Sequence, residues 1–361
     1  DITKAPKKWI DAQVQAREAS RFQELAERQQ ERIALGLEAP PEPVEPTTAD
    51  PYELADGRPI DVHISNLLLS GDALYGSSQA SLYAYDFTTG FWSRIPQADA
   101  LRMVQVEVER VFTVDRHGRT LYPYGTNAQI TSCLGALITK AHEPRLTAPE
   151  PCIPFLDLTY HCRTEQTEPH SPENGATYGI SAPFVSSDTC PATFEHAINT
   201  CYGDEALPVV RAWIRAIVDP TIPYGKFLLI VGNTGTGKGM LLEFLDALLP
   251  ASCRSELLEP GDIANADKVY QFVLGKRYIS FEDLPARLKP MQIFYKLVEN
   301  TEVSARKLNS SDTVAITPNC RFSAGTTKLP TLSDGNDGLV RRALILRTIP
   351  RLGGVDRTLK A

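Results

Sequence analysis

The chain has 361 residues, room for two domains and an extra arm, and 42% of them are apolar, enough to bury cores. No apolar run approaches the roughly 20 residues of a membrane span, and the opening "DITKAPKKWI" has neither an initiator Met nor a signal peptide, so a fragment of a longer, non-membrane protein is expected. Net charge is 37 minus 44, or −7, which excludes a protein coated in basic residues and confines any nucleic-acid contact to particular loops.

Residues 5–36 are rich in Ala, Glu, Gln and Arg without an internal Pro or Gly, and Trp9, Val14, Phe22, Leu25 and Ile33 recur at helical spacing. One amphipathic helix is predicted over 1–37, serving either as a solvated linker or as an oligomerisation arm. The acidic, proline-rich "EAPPEPVEPTTADP" reads as a semi-rigid linker within 38–60.

Residues 61–200 are predicted to form a mixed α+β domain. "SLYAYDFTTGFWSRI" alternates on either side of "TTG" and predicts a hairpin from Ser81 to Ile95. "ALRMVQVEVERVF" and "NAQITSCLGALITKAH" read as helices, and "PEPCIPFLDL" as an extended segment held by prolines. Seven scattered cysteines contain no CxxC pair and read as reduced thiols. His161, Cys162, Cys190 and His196 have no standard zinc spacing.

From 201 to 361 strands and helices alternate. "VVRAWIRAIV" is helical, "KFLLIVG" a buried strand, and "GKGMLLEFLDALL" a helix starting at a glycine loop. "RYISFED" is a second buried strand, "MQIFYKLVEN" a helix, and "CRFSAGT" and "RRALILRTI" two further strands. The alternation implies a mainly parallel sheet covered on both faces.

The chemistry concentrates around "VGNTGTGKGM". Gly232, Asn233, Thr234, Gly235, Thr236, Gly237, Lys238 and Gly239 form a glycine loop between strand and helix, whose N–H groups and lysine suit the phosphates of ATP. Gly239 stands where Ser or Thr would give Mg²⁺ a hydroxyl, a ligand that water is expected to replace. Hydrolysis also needs carboxylates. Glu282 and Asp283 end a buried strand 44 residues after Lys238 (282 minus 238), one to hold Mg²⁺ through water and one to polarise the attacking water. Thr326 or Thr327, at the end of a third strand, suits sensing of the γ-phosphate. Arg341 and Arg342 suit either stabilisation of phosphoryl charge across a subunit boundary or a surface salt bridge.

The succession "LLIVGNTGTGKG", "KRYISFEDLP", "LVENTEVSARKL", "RFSAGTTKLPTLSD" and "GLVRRALILRTIP" resembles the superfamily 3 helicases, of the primase-helicase type found in large DNA viruses, phages and plasmids. The upstream "SLYAYDFTTGFWSRI" and "IPFLDLTYHCRTEQTEPHSPENGATYGI" extend the resemblance over about residues 65–352. It implies an α/β, AAA+-like P-loop NTPase core behind a mixed α+β domain. It also implies a hexameric, ATP- and Mg²⁺-dependent motor moving 3′ to 5′ on single-stranded DNA, in the cytoplasm of a bacterial or virus-infected cell. A primase or polymerase domain is expected upstream in the same chain. Carried onto this sequence, Gly232, Gly237 and Lys238 are the phosphate loop, and Glu282 with Asp283 the acidic pair. Thr327 stands where the family usually has the sensing Asn, and Arg341 or Arg342 is the finger. A hairpin in "VSARKLNSSDTVAIT" would grip DNA phosphates through Arg306 and Lys307. The alternative function is an assembly module that binds ATP without hydrolysing it, favoured by Gly239 and Thr327. A small-molecule kinase is poorly supported because no lid or acceptor pattern appears.

Overall fold

The computed structural model describes residues 52–54, 59–115, 117–187, 189–255, 266–281, 284, 287–288, 292–306, 313–332 and 337–349. The predicted N-terminal helix and proline-rich linker lie almost wholly outside the described residues. Pro51–Ala361 form one compact unit.

The front of this unit begins with β1 (Tyr52–Glu53), α1 (Ile60–Leu69), and a meander of β2 (Tyr75–Ser78), β3 (Ser81–Asp86) and β4 (Phe91–Arg94). The predicted hairpin is β3–β4, paired Tyr83↔Arg94 to Asp86↔Phe91. β2 adds a third strand through a two-residue turn at Gln79 and Ala80. α2 (Gln97–Glu109), β5 (Val111–Val114), β6 (Thr120–Leu121) and α3 (Asn127–Lys140) follow. The helix predicted through Phe112 stops at Glu109, because Val111 and Phe112 join a parallel pairing with β1, where β-branched and aromatic side chains are favoured. Ile64, Val104, Val108, Leu134 and Leu137 make the local core beneath Leu82. β7 (Cys152–Pro154), β8 (Thr159–His161) and β9 (Gln166–Glu168) form a small antiparallel sheet.

α4 (Ala192–Tyr202) and α5 (Ala206–Val218) lead into the main sheet. Its strands are β10 (Phe227–Val231), β11 (Arg254–Ser255), β12 (Tyr278–Phe281), β16 (Arg321–Thr326) and β18 (Ala343–Arg347). They lie in the order β11-β12-β16-β10-β18, and every pairing is parallel. Between them come α6 (Lys238–Ala247), α7 (Ala266–Phe272), the short β13 (Arg287–Leu288), α8 (Gln292–Val298), the hairpin β14 (Val303–Arg306) and β15 (Thr313–Ile316), the short β17 (Thr331–Leu332) and α9 (Asp337–Arg342).

All five residues of "FLLIV" are buried, as expected of a strand covered on both faces. Their alternation divides them between two cores. Phe227, Leu229 and Val231 pack with Val269, Phe294 and Phe322, while Leu228 and Ile230 pack with Ile198, Val210, Trp213 and Leu241. Fully burying each such side chain contributes about 1.5–3 kcal/mol. The second core also contains Phe91, Cys152 and Tyr178 from the front. The boundary predicted at 200/201 therefore falls inside α4, whose Ile198, Cys201 and Tyr202 belong to the same core.

The sheet's entry edge is anchored by two buried arginines that have no carboxylate partner among the described residues. Arg277 donates to Ile217 O at 2.5 Å and Ala216 O at 3.2 Å, and Arg321 donates to Ala216 O at 2.9 Å. These carbonyls end α5, where the helix dipole favours cations. The Tyr224 ring lies 3.9 Å from the Arg321 guanidinium. Burial and the neighbouring Arg277 lower Arg321 to about 10, so it stays charged at neutral pH.

Candidate functional site

The order of the sheet decides where a ligand fits. β10 is flanked by β16 and β18: its own connection runs to β11 on the β16 side, whereas β16 crosses past it to β18, so connections to either side part here and a crevice is expected beyond the C-terminal end of β10. The glycine loop lies at that point. Gly232 N donates to Thr326 O at 3.0 Å, and Thr348 N donates to Val231 O at 2.9 Å, which holds the loop's first glycine between two neighbouring strands. A Cβ on Gly232 would collide with the Thr348 hydroxyl.

Two later glycines carry left-handed backbone, Gly235 at φ 78° and Gly237 at φ 100°. Such a conformation is open to glycine at little cost and turns successive N–H groups toward one concave side. Gly237 also accepts close packing: a Cβ there would stand 2.6 Å from Cys201 Sγ. The Tyr202 hydroxyl donates to Gly237 O at 2.9 Å, and burial pushes this phenol well up, so it remains a donor. α4 thus braces the loop from below, a role that no local motif around Cys201 or Tyr202 announces.

Asn233, Thr234 and Gly235 are exposed at the loop's crest, while Thr236 is buried and donates to Asn233 O at 2.7 Å. Lys238 opens α6 and is 9% exposed. Its ammonium donates to Gly232 O at 2.7 Å and Asn233 O at 3.0 Å, so the cation is held over the loop by the loop's own carbonyls. Gly239 is exposed, and a Cβ there would meet no atom within 4 Å. The side chain missing from this position therefore has space.

Glu282, Asp283 and Lys307 lie outside the described residues. The acidic pair's neighbours in sequence are pinned to β16: Phe281 pairs with Ala324, and Leu284 N donates to Gly325 O at 2.8 Å. β16 is inserted between β12 and β10, an order that alternation in the sequence does not reveal. Thr326 is buried and spends its hydroxyl on Lys328 O at 2.7 Å, whereas Thr327 is exposed just beyond the strand. Of the two threonines, Thr327 is the exposed one.

The arginines were expected to open a strand, but both belong to α9, and β18 begins one residue later at Ala343. Arg342 is built into the fold: Nη2 and Nε lie 2.5 and 3.0 Å from Glu299 Oε1, and the guanidinium lies 4.8 Å from the Tyr295 ring centroid. Arg341 is 72% exposed, with Glu299 at 3.9 Å. Because Ala343 pairs with Phe227 at the start of β10, both arginines sit at the opposite edge of the sheet from the glycine loop, about 15 Å away along the strand. Neither reaches the loop of its own chain.

Arg306 is exposed at the end of β14, opposite Thr313, on the antiparallel β14–β15 hairpin. Val303, Ala305 and Ile316 are buried in the core next to the sheet, so the hairpin projects from a fixed root.

No family model matches the sequence, and no curated protein matches it. Among solved structures the chain is similar to apo forms of the NrS-1 C-terminal region. One is 12% identical with a TM-score of 0.41, covering 79% of this chain and 60% of that one. A second is 10% identical with a TM-score of 0.42, covering 80% and 61%. This chain thus spans about three fifths of the NrS-1 region in those structures.

The space at Gly239 carries its own prediction. Gly239→Thr is expected to fold at least as stably, by up to about 1 kcal/mol, because it removes a helix glycine. Thermal melting of both proteins checks this, and a lower melting temperature in the variant would show that the glycine itself is required.

Proposed function

We propose that the chain is the motor part of an ATP-driven, ring-forming helicase acting on single-stranded DNA during replication. The observation that carries this reading is the glycine loop with its buried Lys238, set at the C-terminal end of β10 between β16 and β18 of a parallel sheet. The donor set fits a nucleotide triphosphate: loop N–H groups and Lys238 for phosphates, exposed Thr327 for the γ-phosphate, and Glu282 with Asp283 for Mg²⁺ and the attacking water. Bound Mg²⁺ would neutralise phosphate charge, with water taking the place of the hydroxyl that Gly239 lacks.

The position of Arg341 favours assembly. An exposed arginine at the edge far from its own loop serves phosphoryl chemistry only in a neighbouring subunit, which is the reason to read the active form as a ring. The β14–β15 hairpin is the proposed DNA contact. Arg306 and Lys307, repeated around the ring, would line a basic channel in a protein of net charge −7. A primase or polymerase activity elsewhere in the full protein belongs to the same proposal.

A second reading, ATP as a non-hydrolysed cement for assembly, is favoured by Gly239. Phosphate release with Mg²⁺, with and without single-stranded DNA, separates the two. The motor reading expects DNA-stimulated turnover that Glu282→Ala reduces by at least about 100-fold with ATP binding retained. Binding without turnover in the unaltered protein favours the cement, and turnover indifferent to the substitution refutes the assigned site.

Arg306→Ala combined with Lys307→Ala is expected to weaken single-stranded DNA binding at every sequence alike. It should also reduce the slope of log affinity against log salt by about 1.4, the release from two phosphates. Fluorescence anisotropy over a salt series checks this, and an unchanged slope rejects the hairpin as the contact.

A further inference from the structure

Four described non-glycine residues have positive φ, and two of them, Gln79 at 48° and Asn300 at 50°, flank the root of the β14–β15 hairpin, with Ala80 at 55° next to Gln79. Backbone of this kind is unfavourable for Gln and Ala, and it persists only where surrounding contacts fix it, which makes such clusters pointers to function. Gln79 and Ala80 are the two central residues of the β2–β3 turn, where Asn-Gly or Gly-Gly would be the unstrained choice.

Each strained residue holds something. Asn300, just before β14, clamps Cys320 with both ends of its amide: Oδ1 accepts Cys320 N at 3.0 Å and Nδ2 donates to Cys320 O at 3.2 Å. Cys320 immediately precedes β16, the strand whose far end, Thr326, accepts the N–H of Gly232. Gln79 reaches from the front of the molecule and accepts the N–H of Thr317, the residue after β15, at 2.8 Å. Ala80 O accepts the Tyr270 hydroxyl at 3.4 Å, which also lies 3.0 Å from Ser81 Oγ, while Arg94 stacks on the Tyr270 ring at 4.9 Å. The turn is thus seated against α7 while Gln79 extends past it to the hairpin.

Gln79 and Thr317 both line a cleft of about 700 Å³, together with Tyr83 from the front and Asn300 and Asn319 from the sheet side. Their hydrogen bond therefore spans the rim of an open gap and belongs to no packed core. An exposed hydrogen bond of this kind adds little to stability, so a strained turn kept for it points to placement of the hairpin.

We propose that Gln79 is a positioning residue that fixes the β14–β15 hairpin at its β15 root, as Asn300 fixes it at its β14 root. β16 then joins the hairpin to the glycine loop, so that occupancy of the hairpin by DNA alters ATP turnover only while both roots are held. This inference rests on the reading of the hairpin as the DNA contact. It adds that the front of the molecule sets the coupling between DNA and ATP.

Gln79→Asn tests it, because Asn suits the left-handed turn but is one methylene too short to reach Thr317. Gln79→Glu keeps both reach and acceptor. In the full chain with Mg²⁺-ATP and oligothymidine, Gln79→Asn is expected to retain basal turnover and melting temperature while DNA stimulation falls about 5-fold. Gln79→Glu is expected to retain most of the stimulation. Stimulation in Gln79→Asn equal to the unaltered protein, or basal turnover falling in parallel with it, overturns the assignment. Absence of DNA stimulation in the unaltered protein instead refutes the reading of the hairpin, and the role of Gln79 with it.

Discussion

Lys238→Ala is expected to lower ATP turnover by at least about 100-fold, the loss typical when a preorganised charge-stabilising donor is removed from a phosphoryl-transfer site. The ammonium hangs over the loop from two backbone carbonyls, Gly232 O and Asn233 O, so it is poised beside any phosphate that the loop N–H groups bind. A bound phosphate offers a charged acceptor in place of a neutral carbonyl, and charge-assisted hydrogen bonds are roughly twice as strong. The fold should survive, because Lys238 is the first residue of α6 and Ala has the highest helix propensity. Nucleotide affinity is measured with a fluorescent ATP analogue, turnover by phosphate release, and folding by thermal melting. Turnover equal to that of the unaltered protein, with melting also unchanged, would remove the loop from the chemistry.

Elements that depend on local pattern were legible in the sequence. "KFLLIVG" followed by "GKGMLLEFLDALL" reads as strand, turn and helix because burial on both faces leaves a continuous apolar run and glycines mark the break. The hairpin Ser81–Ile95 is legible because alternation flanks a polar turn, whereas the pairing of 303–306 with 313–316 was expected only from the family resemblance. What depends on partners distant in sequence was not legible. Nothing in "CRFSAGT" states that it lies between the other two strands, although that insertion is what places Thr326 beside Gly232. Nothing near Cys201 or Tyr202 states that a thiol fills the space beside Gly237 and a phenol holds its carbonyl. The front domain was read as separate because regular alternation of strands and helices begins only after it, yet Phe91 and Tyr178 bury themselves in the same core as Leu228. A chain that folds back over its own sheet leaves no linker signal at such a junction. The arginine pair shows the same division. Two adjacent cations are indistinguishable in the sequence, and the Tyr295 ring together with the much shorter approach of Glu299 to Arg342 than to Arg341 sets their fates apart.

That difference makes the second large prediction specific to one side chain. Arg342→Ala removes two hydrogen bonds to Glu299 Oε1 and the stacking on Tyr295, so it is expected to cost about 1–3 kcal/mol of stability, read as a lower melting temperature. Arg341→Ala removes an exposed side chain and should leave melting unchanged while reducing turnover by about 10³-fold, as for loss of an arginine acting in a neighbour's site. The parallel pairing of Ala343 with Phe227 places Arg341 at the end of the sheet away from Lys238, so in the proposed ring the two residues would complete a site from different subunits. Mixing then gives a sign that no single-chain mechanism reproduces. An Arg341→Ala subunit keeps its loop, and a Lys238→Ala subunit keeps its arginine. In an equal mixture about one quarter of interfaces regain both parts, each being present with probability one half in a closed ring of identical contacts. Two inactive proteins should therefore recover about one quarter of basal turnover on mixing, and no recovery is expected when either is mixed with the double variant. Full activity of Arg341→Ala alone would return that residue to the surface, and activity that never reappears on mixing would place both requirements within one chain, against the register of β10 and β18.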